Sequence, residues 1–272
     1  MALPTPSPER TALVTGASSG IGDAIARDLA ARGYGVTLVA RREDKLTALA
    51  DELRATGVRA EVLVADLSDR SARAELPGRV ESLGLTVEIL VNNAGLSTMG
   101  RVAAADPDAE MNMLEVDVVA VVDLCVRFLP AMVQRRRGAV LNVASTGAFQ
   151  PLPGQAGYGA SKAFVLSYTR SLGGELRGSG VTATTLCPGP VRTGFGEAAG
   201  ISTEDADAAL PSFMWESVEA VAKCGVDALA AGHPVAIPGS ANRVAAAIAQ
   251  ITPKQLLVPL LASRHPALRD RR

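Results

Sequence analysis

The feature that most constrains this chain is a glycine-rich turn between a short apolar strand and a helix. Residues 11–14 (Thr-Ala-Leu-Val) are predicted to form a buried strand, and residues 15–22 (Thr-Gly-Ala-Ser-Ser-Gly-Ile-Gly) follow at once. Apolar residues then recur at helical spacing at Ile21, Ile25 and Leu29. Glycines permit a tight turn close to a phosphate, and the helix start offers free N–H groups and a positive dipole. This order predicts a dinucleotide-binding turn, although an ordinary glycine-rich turn has the same composition.

Strands and helices alternate along the chain after this turn. Further strand patterns occupy residues 35–40, 61–65, 87–91, 139–144, 181–186 and 233–237, and helical patterns separate them. Two long helices are predicted over residues 108–132 and 158–177. Alternation of this kind produces a parallel sheet with helices on both faces and ligands at the strands' carboxyl ends. We therefore predict an α/β fold, a single doubly wound Rossmann domain over residues 1–272 with a central parallel sheet of about seven strands.

Composition argues against several other classes of protein. The chain has 272 residues, of which 48% are hydrophobic and 20% charged, and a formal net charge of −1, so no nucleic-acid-binding field is predicted. Cys125, Cys187 and Cys224 are far apart, which predicts neither a metal site nor a disulfide framework and favours a cytoplasmic location. No apolar run reaches the roughly 18 residues that a transmembrane helix needs, and the first residues lack the order of a signal peptide.

Candidate ligand-binding residues follow the predicted strand ends. Arg41 and Arg42 come directly after the second strand, where an acidic residue would bind ribose hydroxyls and repel a phosphate. Arginine there accommodates a 2′-phosphate, which favours NADP over NAD, although two solvated arginines would look the same. Asp66 follows the third strand, where a carboxylate can meet an adenine amino group or cap the next helix. Residues 92–95 (Asn-Asn-Ala-Gly) follow the fourth strand and suit a tight turn near a ligand.

A second group of reactive side chains comes after the fifth strand. Ser145 follows that strand directly, and Tyr158 and Lys162 are four residues apart. In a helix this spacing puts both side chains on one face, one turn from each other. A phenol beside an ammonium, with a hydroxyl arriving from a strand end, is a plausible site of proton transfer.

Three segments fall outside the regular pattern. Residues 1–9 are proline-rich and predicted to be an extended lead-in. Residues 194–216 lack periodicity and end in Phe-Met-Trp, which fits a substrate lid or a surface excursion equally well. Residues 253–272 form a tail that is first apolar and then basic. Such a tail can touch a membrane, line a substrate mouth, or pack on the core or on a second subunit.

In order and spacing these motifs resemble those of the short-chain dehydrogenase/reductase family, over about residues 10–195. The matching residues are the turn at 15–22, the turn at 92–95, Ser145, Tyr158, Lys162 and residues 188–193. The resemblance implies an NADP(H)-dependent oxidoreductase acting on a carbonyl or secondary alcohol, as a homodimer or homotetramer. The C-terminal quarter loosely resembles actinobacterial members that reduce long-chain oxoacyl compounds, including a mycolate-reductase-like group. We therefore expect an apolar carbonyl substrate; a steroid, a small ketone and a non-catalytic NADP(H)-binding sensor are the alternatives.

The resemblance also implies a role for each matching residue. Tyr158 would be the general acid in reduction, and the Lys162 ammonium would lower its pKa from about 10. Lys162 would also hold the nicotinamide ribose, and Ser145 would bind the substrate carbonyl oxygen. The residues implied in cofactor binding are Gly16, Ser18, Ser19, Gly20, Ile21, Gly22, Arg41, Arg42, Asp66, Leu67, Asn93, Ala94, Gly95, Tyr158, Lys162, Pro188, Gly189, Val191 and Thr193.

Asp117 is a departure from the family pattern. The family usually has asparagine at this place in the long helix, where it takes part in a water-linked proton relay to the active-site lysine. An aspartate keeps the acceptor but loses the amide donor and adds a charge. An ionised Asp117 near Lys162 would raise the pKa of the lysine and offset part of its effect on Tyr158.

Overall fold

The computed structural model describes residues 3–194, 211–264 and Leu268. In these residues seven parallel strands form one sheet in the order β3-β2-β1-β4-β5-β6-β7, which confirms the predicted fold. The strands are β1 (Arg10–Thr15), β2 (Gly35–Ala40), β3 (Ala60–Val64), β4 (Thr86–Asn92), β5 (Gly138–Val143), β6 (Val181–Leu186) and β7 (Val235–Ala236). The strand order reverses between β1 and β4, so the connections that leave these two strands diverge and open a cleft at their carboxyl ends.

Helices cover both faces of the sheet. They are α1 (Gly20–Ala31), α2 (Glu43–Ala55), α3 (Arg70–Ser82), α4 (Pro107–Leu114), α5 (Ala120–Gln134), α6 (Ala156–Glu175), α7 (Val218–Ala231), α8 (Ser240–Ile251) and α9 (Lys254–Arg264). One apolar layer contains α1, α2 and α7, and the other contains α3, α5 and α6. Helix α1 belongs to its layer because Ile25, Ala26 and Leu29 recur on one side of the helix and are fully buried.

The helix predicted over residues 108–132 is not one continuous α-helix. A five-residue π turn, Glu115–Val119, separates α4 from α5. A π turn inserts an extra residue into the helix and rotates the side chains that follow it. The inserted turn contains Asp117, whose residue exposure is 0%. No glycine or proline marks the turn, and the apolar periodicity continues through it, so the sequence does not indicate the interruption.

Asp66 does not cap the helix that follows β3, so that alternative prediction is wrong. Asp69 is the N-cap of α3, and its carboxylate accepts a hydrogen bond from the N–H of Ser71 at 2.8 Å. Asp66 instead accepts from the N–H and the hydroxyl of Ser68, at 2.9 and 2.8 Å. Its carboxylate therefore organises the turn after β3, where Asp66 also lines the cleft.

The segments outside the regular pattern are described only in part. No helix or strand precedes β1 within residues 3–9. Of the predicted lid, residues 194–216, the stretch 195–210 lies outside the described residues. The tail is described for residues 253–264 and at Leu268. The apolar part of the tail forms α9. Among the described residues, none of the helices combines the length and the apolar character that crossing a bilayer requires.

Candidate active site

A cleft of about 560 Å³ lies at the carboxyl ends of the central strands. It brings together residues that are up to 178 positions apart in the chain, from Gly16 to Gly194. The predicted site residues that line it are Gly16, Ser18, Ser19, Gly20, Ile21, Arg41, Arg42, Asp66, Leu67, Asn93, Ala94, Gly95, Ser145, Tyr158, Lys162, Pro188, Gly189, Val191 and Thr193. Two predicted residues, Gly22 and Asp117, do not line the cleft. Each contacts residues that do: Gly22 lies against Gly16 and Asn93, and Asp117 pairs with Lys162.

Thr15 joins the turn after β1 to the turn after β4. Its hydroxyl oxygen accepts hydrogen bonds from the N–H of Asn93 at 2.9 Å and of Ala94 at 3.1 Å, and donates to the carbonyl of Val91 at 3.2 Å. The side chain is buried, so it satisfies two backbone donors that the strand ladder leaves open. Thr15 is not among the predicted site residues; its signal in the sequence is a hydroxyl at a strand end, directly before the first glycine of the turn.

Replacing Thr15 by valine keeps the shape of the side chain and removes the hydroxyl. An unsatisfied buried donor costs about 1–3 kcal/mol, so we expect Thr15→Val to lower the free energy of unfolding by about 2–4 kcal/mol. Urea denaturation monitored by circular dichroism measures the difference. Thr15→Ser retains the hydroxyl and is expected to lose less than half as much. Equal losses in the two variants would show that the methyl group, and not the hydrogen bonds, stabilises the junction.

Gly16 and Gly22 are required by contacts within the protein. Gly16 has φ +65°, and a Cβ added there would lie 2.8 Å from Cα of Ala94. A Cβ at Gly22 would overlap the side-chain amide of Asn93 and the carbonyl of Gly16. That amide donates to the carbonyls of Thr15 at 3.0 Å and Gly16 at 3.4 Å. The side chain of Asn93, one of the predicted cofactor-binding residues, thus holds the glycine-rich turn.

Arg42 reaches the glycine-rich turn more directly than Arg41 does. Its guanidinium donates to the hydroxyls of Ser18 at 2.8 Å and Ser19 at 2.7 Å. Arg41 is largely exposed and lies 3.8 Å from Asp66, measured between Nη1 and Oδ2. Both arginines line the β2 side of the cleft. Two guanidinium groups and two hydroxyls there form a set of donors suited to an anion.

Lys162 is held in the opposite part of the cleft by Asp117. Its ammonium nitrogen lies 2.9 Å from Oδ2 of Asp117 and donates to the carbonyl of Val143 at 3.5 Å. The two side chains are 5% and 0% exposed, so this is a buried ion pair. The other carboxylate oxygen of Asp117 accepts from the N–H of Leu96 at 2.7 Å. A Cβ added at Gly95 would lie 3.1 Å from the ammonium nitrogen, so only glycine leaves the pair undisturbed.

Ser145 and Tyr158 complete this group. The hydroxyl oxygen of Ser145 accepts from the N–H of Gly147 at 3.0 Å, which caps the short 3-10 turn Thr146–Phe149. The ring of Tyr158 is centred 5.6 Å from the Lys162 nitrogen, as expected for residues one helical turn apart. A side-chain hydrogen bond joins Tyr158 to Ser145. The two hydroxyls and the ammonium therefore face one space, about three strand spacings, or about 14 Å, from the arginines that follow β2.

Burial has the largest effect on the pKa of Tyr158. Removal from water raises this pKa above 10.0, the Lys162 ammonium and the hydrogen bond with Ser145 lower it, and Asp117 raises it again. Lys162 therefore lowers the pKa of Tyr158, as predicted, but by less than burial raises it. For Lys162, burial lowers the pKa, but the Asp117 carboxylate and then the phenol raise it above 10.5. At neutral pH the site holds a protonated phenol beside a charged ammonium.

These features define a class of site. A glycine-rich turn at a helix start can take a diphosphate, and donors after β2 can take a further anion. A phenol, an ammonium and a serine hydroxyl lie at the other end of the same cleft and can bind and protonate a carbonyl oxygen. A site of this kind belongs to a dinucleotide-dependent oxidoreductase.

The chain is a member of the short-chain dehydrogenase family. The family profile described as short chain dehydrogenase matches residues 10–203, which is most of the chain. The chain is therefore an oxidoreductase of this class. Helices α7, α8 and α9 lie beyond the matched residues.

Curated relatives agree with this assignment. The chain is 39% identical over 189 residues to a short chain dehydrogenase of Pseudocercospora fijiensis, covering 69% of this chain and 61% of that protein. It thus spans less than two thirds of the length of that relative. It is also 39% identical over 199 residues to the granaticin polyketide synthase putative ketoacyl reductase 1 of Streptomyces violaceoruber, covering 72% of this chain and 73% of that protein.

Solved structures share the fold over nearly the whole chain. A 7β-hydroxysteroid dehydrogenase superposes with a TM-score of 0.83 at 26% identity, covering 93% of this chain and 96% of that chain. A short-chain dehydrogenase from Sphingobium yanoikuyae, solved in complex with NADPH, superposes with a TM-score of 0.78 at 32% identity. That likeness covers 97% of this chain and 100% of the other, so it includes the region beyond the family profile.

Proposed function

We propose that the chain is an NADPH-dependent carbonyl reductase, or an alcohol dehydrogenase in the reverse direction, with Ser145, Tyr158 and Lys162 as its catalytic residues. The main support for the proposal is that these three side chains line the same cleft as the glycine-rich turn and the two arginines that follow β2. A binding protein that only senses the cofactor has no need of a phenol held as a proton donor beside an ammonium.

The cleft fits a phosphorylated dinucleotide. Ser19 precedes α1 without capping it through its side chain, because its hydroxyl accepts from Arg42 instead. The first N–H groups of α1 therefore remain open to an anion, and Gly20 and Ile21 line the cleft there. Arg41, Arg42 and Ser18 supply donors for a 2′-phosphate, and the similar Sphingobium yanoikuyae structure holds NADPH. We propose that Asp66 and Leu67 contact the adenine, and that Val191 and Thr193 contact the carboxamide.

Each catalytic side chain has a distinct task in this proposal. NADPH, when bound, would supply the hydride that reduces the carbonyl carbon. The hydroxyl of Ser145 would donate a hydrogen bond to the carbonyl oxygen and so polarise the bond. The phenol of Tyr158 would give its proton to that oxygen, and the Lys162 ammonium would stabilise the phenolate that remains. Asp117 would keep the ammonium charged and in place.

We further propose that the substrate is an apolar ketone such as a long-chain 3-oxoacyl compound. Support comes from the similarity to the granaticin ketoacyl reductase and from Phe213, an apolar side chain near the end of the predicted lid that is 70% exposed. A steroid ketone is the second candidate, and the likeness to a 7β-hydroxysteroid dehydrogenase favours it.

NADPH oxidation with a panel of carbonyl compounds tests both candidates. We expect kcat/KM for a long-chain 3-oxoacyl thioester to exceed that for a small cyclic ketone at least about tenfold, because each buried methylene contributes about 0.8 kcal/mol. A steroid ketone that surpasses the thioester would replace the first candidate by the second. Tight NADPH binding without turnover of any carbonyl compound would support the sensor and contradict the proposed reduction.

The choice of cofactor depends on the two arginines after β2. We expect Arg41→Ala/Arg42→Ala to raise KM for NADPH by about 10- to 100-fold, since the net loss of one charge-assisted hydrogen bond costs about 1.5–3 kcal/mol, and to change KM for NADH far less. Arg42→Ala alone is expected to produce most of the effect, because Arg42 contacts the glycine-rich turn. Lys45→Ala, which removes an exposed charge from the same helix region, is the control. Equal losses with NADPH and NADH would show that the 2′-phosphate is bound elsewhere.

We also propose that residues 1–272 form one domain, that the chain acts as a homodimer or homotetramer, and that it works in the cytoplasm. Free thiols at Cys125, Cys187 and Cys224 support the last of these.

A further inference from the structure

We propose that helices α8 and α9 form a docking surface for an anionic phospholipid membrane. This inference goes beyond the proposed reduction, and the docking itself does not depend on it, because it rests on residues after the last strand of the sheet and on Phe213. These helices also lie outside the part of the chain that the family profile matches.

Helix α8 buries one face and leaves an apolar face uncovered. Asn242, Ala246 and Ala249 are buried against the protein. On the other side, Val244, Ile248 and Ile251 are 59%, 54% and 83% exposed. Their spacing of four and three residues places them on one face of the helix. A continuous apolar face of this kind on a soluble domain marks an interaction surface.

Helix α9 extends this uncovered surface. It follows α8 after two residues and contains the apolar run Leu256–Leu261, of which Leu257 is buried and Leu256 and Leu260 are exposed. Phe213 is 70% exposed on the short turn Ser212–Met214, which packs against α8. The amide of Asn242 donates to the carbonyl of Met214 at 3.0 Å and so fixes that turn to the start of α8.

The charge of this region differs from that of the rest of the chain. From Ser240 to Arg272 the sequence contains five arginines, one lysine and a single acidic residue, Asp270, whereas the remainder has 21 basic and 27 acidic residues. Arg243 lies beside the exposed face of α8, and Lys254 opens α9. An apolar helix face bordered by basic residues is the combination that binds at the interface of anionic membranes.

The charge also distinguishes a membrane from a second copy of this chain. In a symmetric dimer the same patch faces itself, so Arg243 and Lys254 would meet their own counterparts or lie close to them. Repulsion between these like charges would oppose a symmetric dimer, whereas an anionic lipid surface would attract every one of the basic side chains. The cytoplasmic leaflet carries anionic lipids of this kind, which agrees with the proposed location.

The position of α8 gives the docking surface a consequence for substrate access. Helix α8 packs on the 3-10 turn that follows Ser145, and Ala246 shares a buried cluster with Phe149 and Cys187. The docked face therefore lies on the element next to the carbonyl-binding serine. A membrane bound to α8 would therefore hold an apolar substrate near the turn that follows Ser145.

Vesicle flotation of the full chain tests the proposal. We expect the protein to float with vesicles of phosphatidylcholine containing about a quarter phosphatidylglycerol, and not with phosphatidylcholine alone. Raising the salt from about 50 mM to about 500 mM should release most of it, because the Debye length falls below the reach of the basic side chains. Ile248→Ser/Ile251→Ser should reduce the bound fraction at least about tenfold. Arg243→Glu should reduce it about 25-fold at low salt, since each charge contributes about fivefold.

The control is Val126→Ser, which removes an exposed valine from α5 on another part of the molecule. It should bind vesicles as the unchanged chain does, and thermal melting should show that all variants are folded. Binding that persists in the double isoleucine variant, or an absence of binding to anionic vesicles at low salt, would overturn the proposal. So would an oligomer that binds no vesicles and dissociates in the double variant, because a second copy would then cover this surface.

Discussion

Tyr158→Phe is expected to reduce kcat for carbonyl reduction by about 10³-fold, within the 10²- to 10⁴-fold range of positioned general acids. The phenyl ring fills the same volume, so the loss comes from the missing proton donor and not from the packing of α6. NADPH affinity should change by no more than about tenfold, because removing one neutral hydroxyl costs about 0.5–1.5 kcal/mol at most. Steady-state kinetics with the best substrate of the panel and NADPH fluorescence titration measure the two quantities separately.

Tyr168→Phe is the matched control for this result. Tyr168 lies on the same helix and is half-buried, but it packs against Cys125 and the apolar layer behind the sheet. Its replacement removes an identical hydroxyl without touching the cleft, so kcat should stay within about twofold. If Tyr158→Phe and Tyr168→Phe reduce the same ketone at the same rate as the unchanged enzyme, Tyr158 is not the general acid.

Asp117→Ala should be the most destabilising substitution in the site. It leaves the Lys162 ammonium buried without a counter-charge and removes the acceptor of the Leu96 N–H at 2.7 Å. Breaking one side of a buried ion pair costs about 3–5 kcal/mol, and we expect a loss of unfolding free energy of that order near neutral pH. Asp117→Asn retains a carbonyl oxygen for Leu96 and should lose less than Asp117→Ala. Urea denaturation of the three proteins is the measurement.

The pH dependence of stability and of kcat in these proteins separates the effect of the Asp117 charge from the effect of its packing. The folded-state pKa of Lys162 is raised above 10.5, so the contribution of the pair to stability is complete below about pH 10.5 and declines as the pH rises through the folded value. Asp117 also raises the pKa of Tyr158. Asp117→Asn should therefore move the alkaline decline of kcat for reduction to lower pH, because Tyr158 loses its proton more easily. An unchanged pH profile would show that Asp117 acts only through packing and the Leu96 contact.

Much of the architecture could be predicted from the sequence because local patterns determine it. Alternating strands and helices require parallel strands with crossover helices, and this places every strand's carboxyl end at one edge of the sheet. Residues that directly follow strands, such as Arg41, Asn93 and Ser145, therefore had to meet at that edge. The four-residue spacing of Tyr158 and Lys162 placed them together for the same reason, since a helix repeats every 3.6 residues.

The tertiary structure alone decided how these residues interact. The π turn that carries Asp117 has no marker in the sequence, because its side chains continue the apolar pattern of α4 and α5. The hydrogen bonds of Thr15 to the β4 turn, and the contact of Arg42 rather than Arg41 with Ser18, depend on distances between segments remote in the chain. The raised pKa of Tyr158 depends on burial. Spacing along the chain determines which residues share a face or an edge, whereas burial and pairing arise only when separate elements pack together.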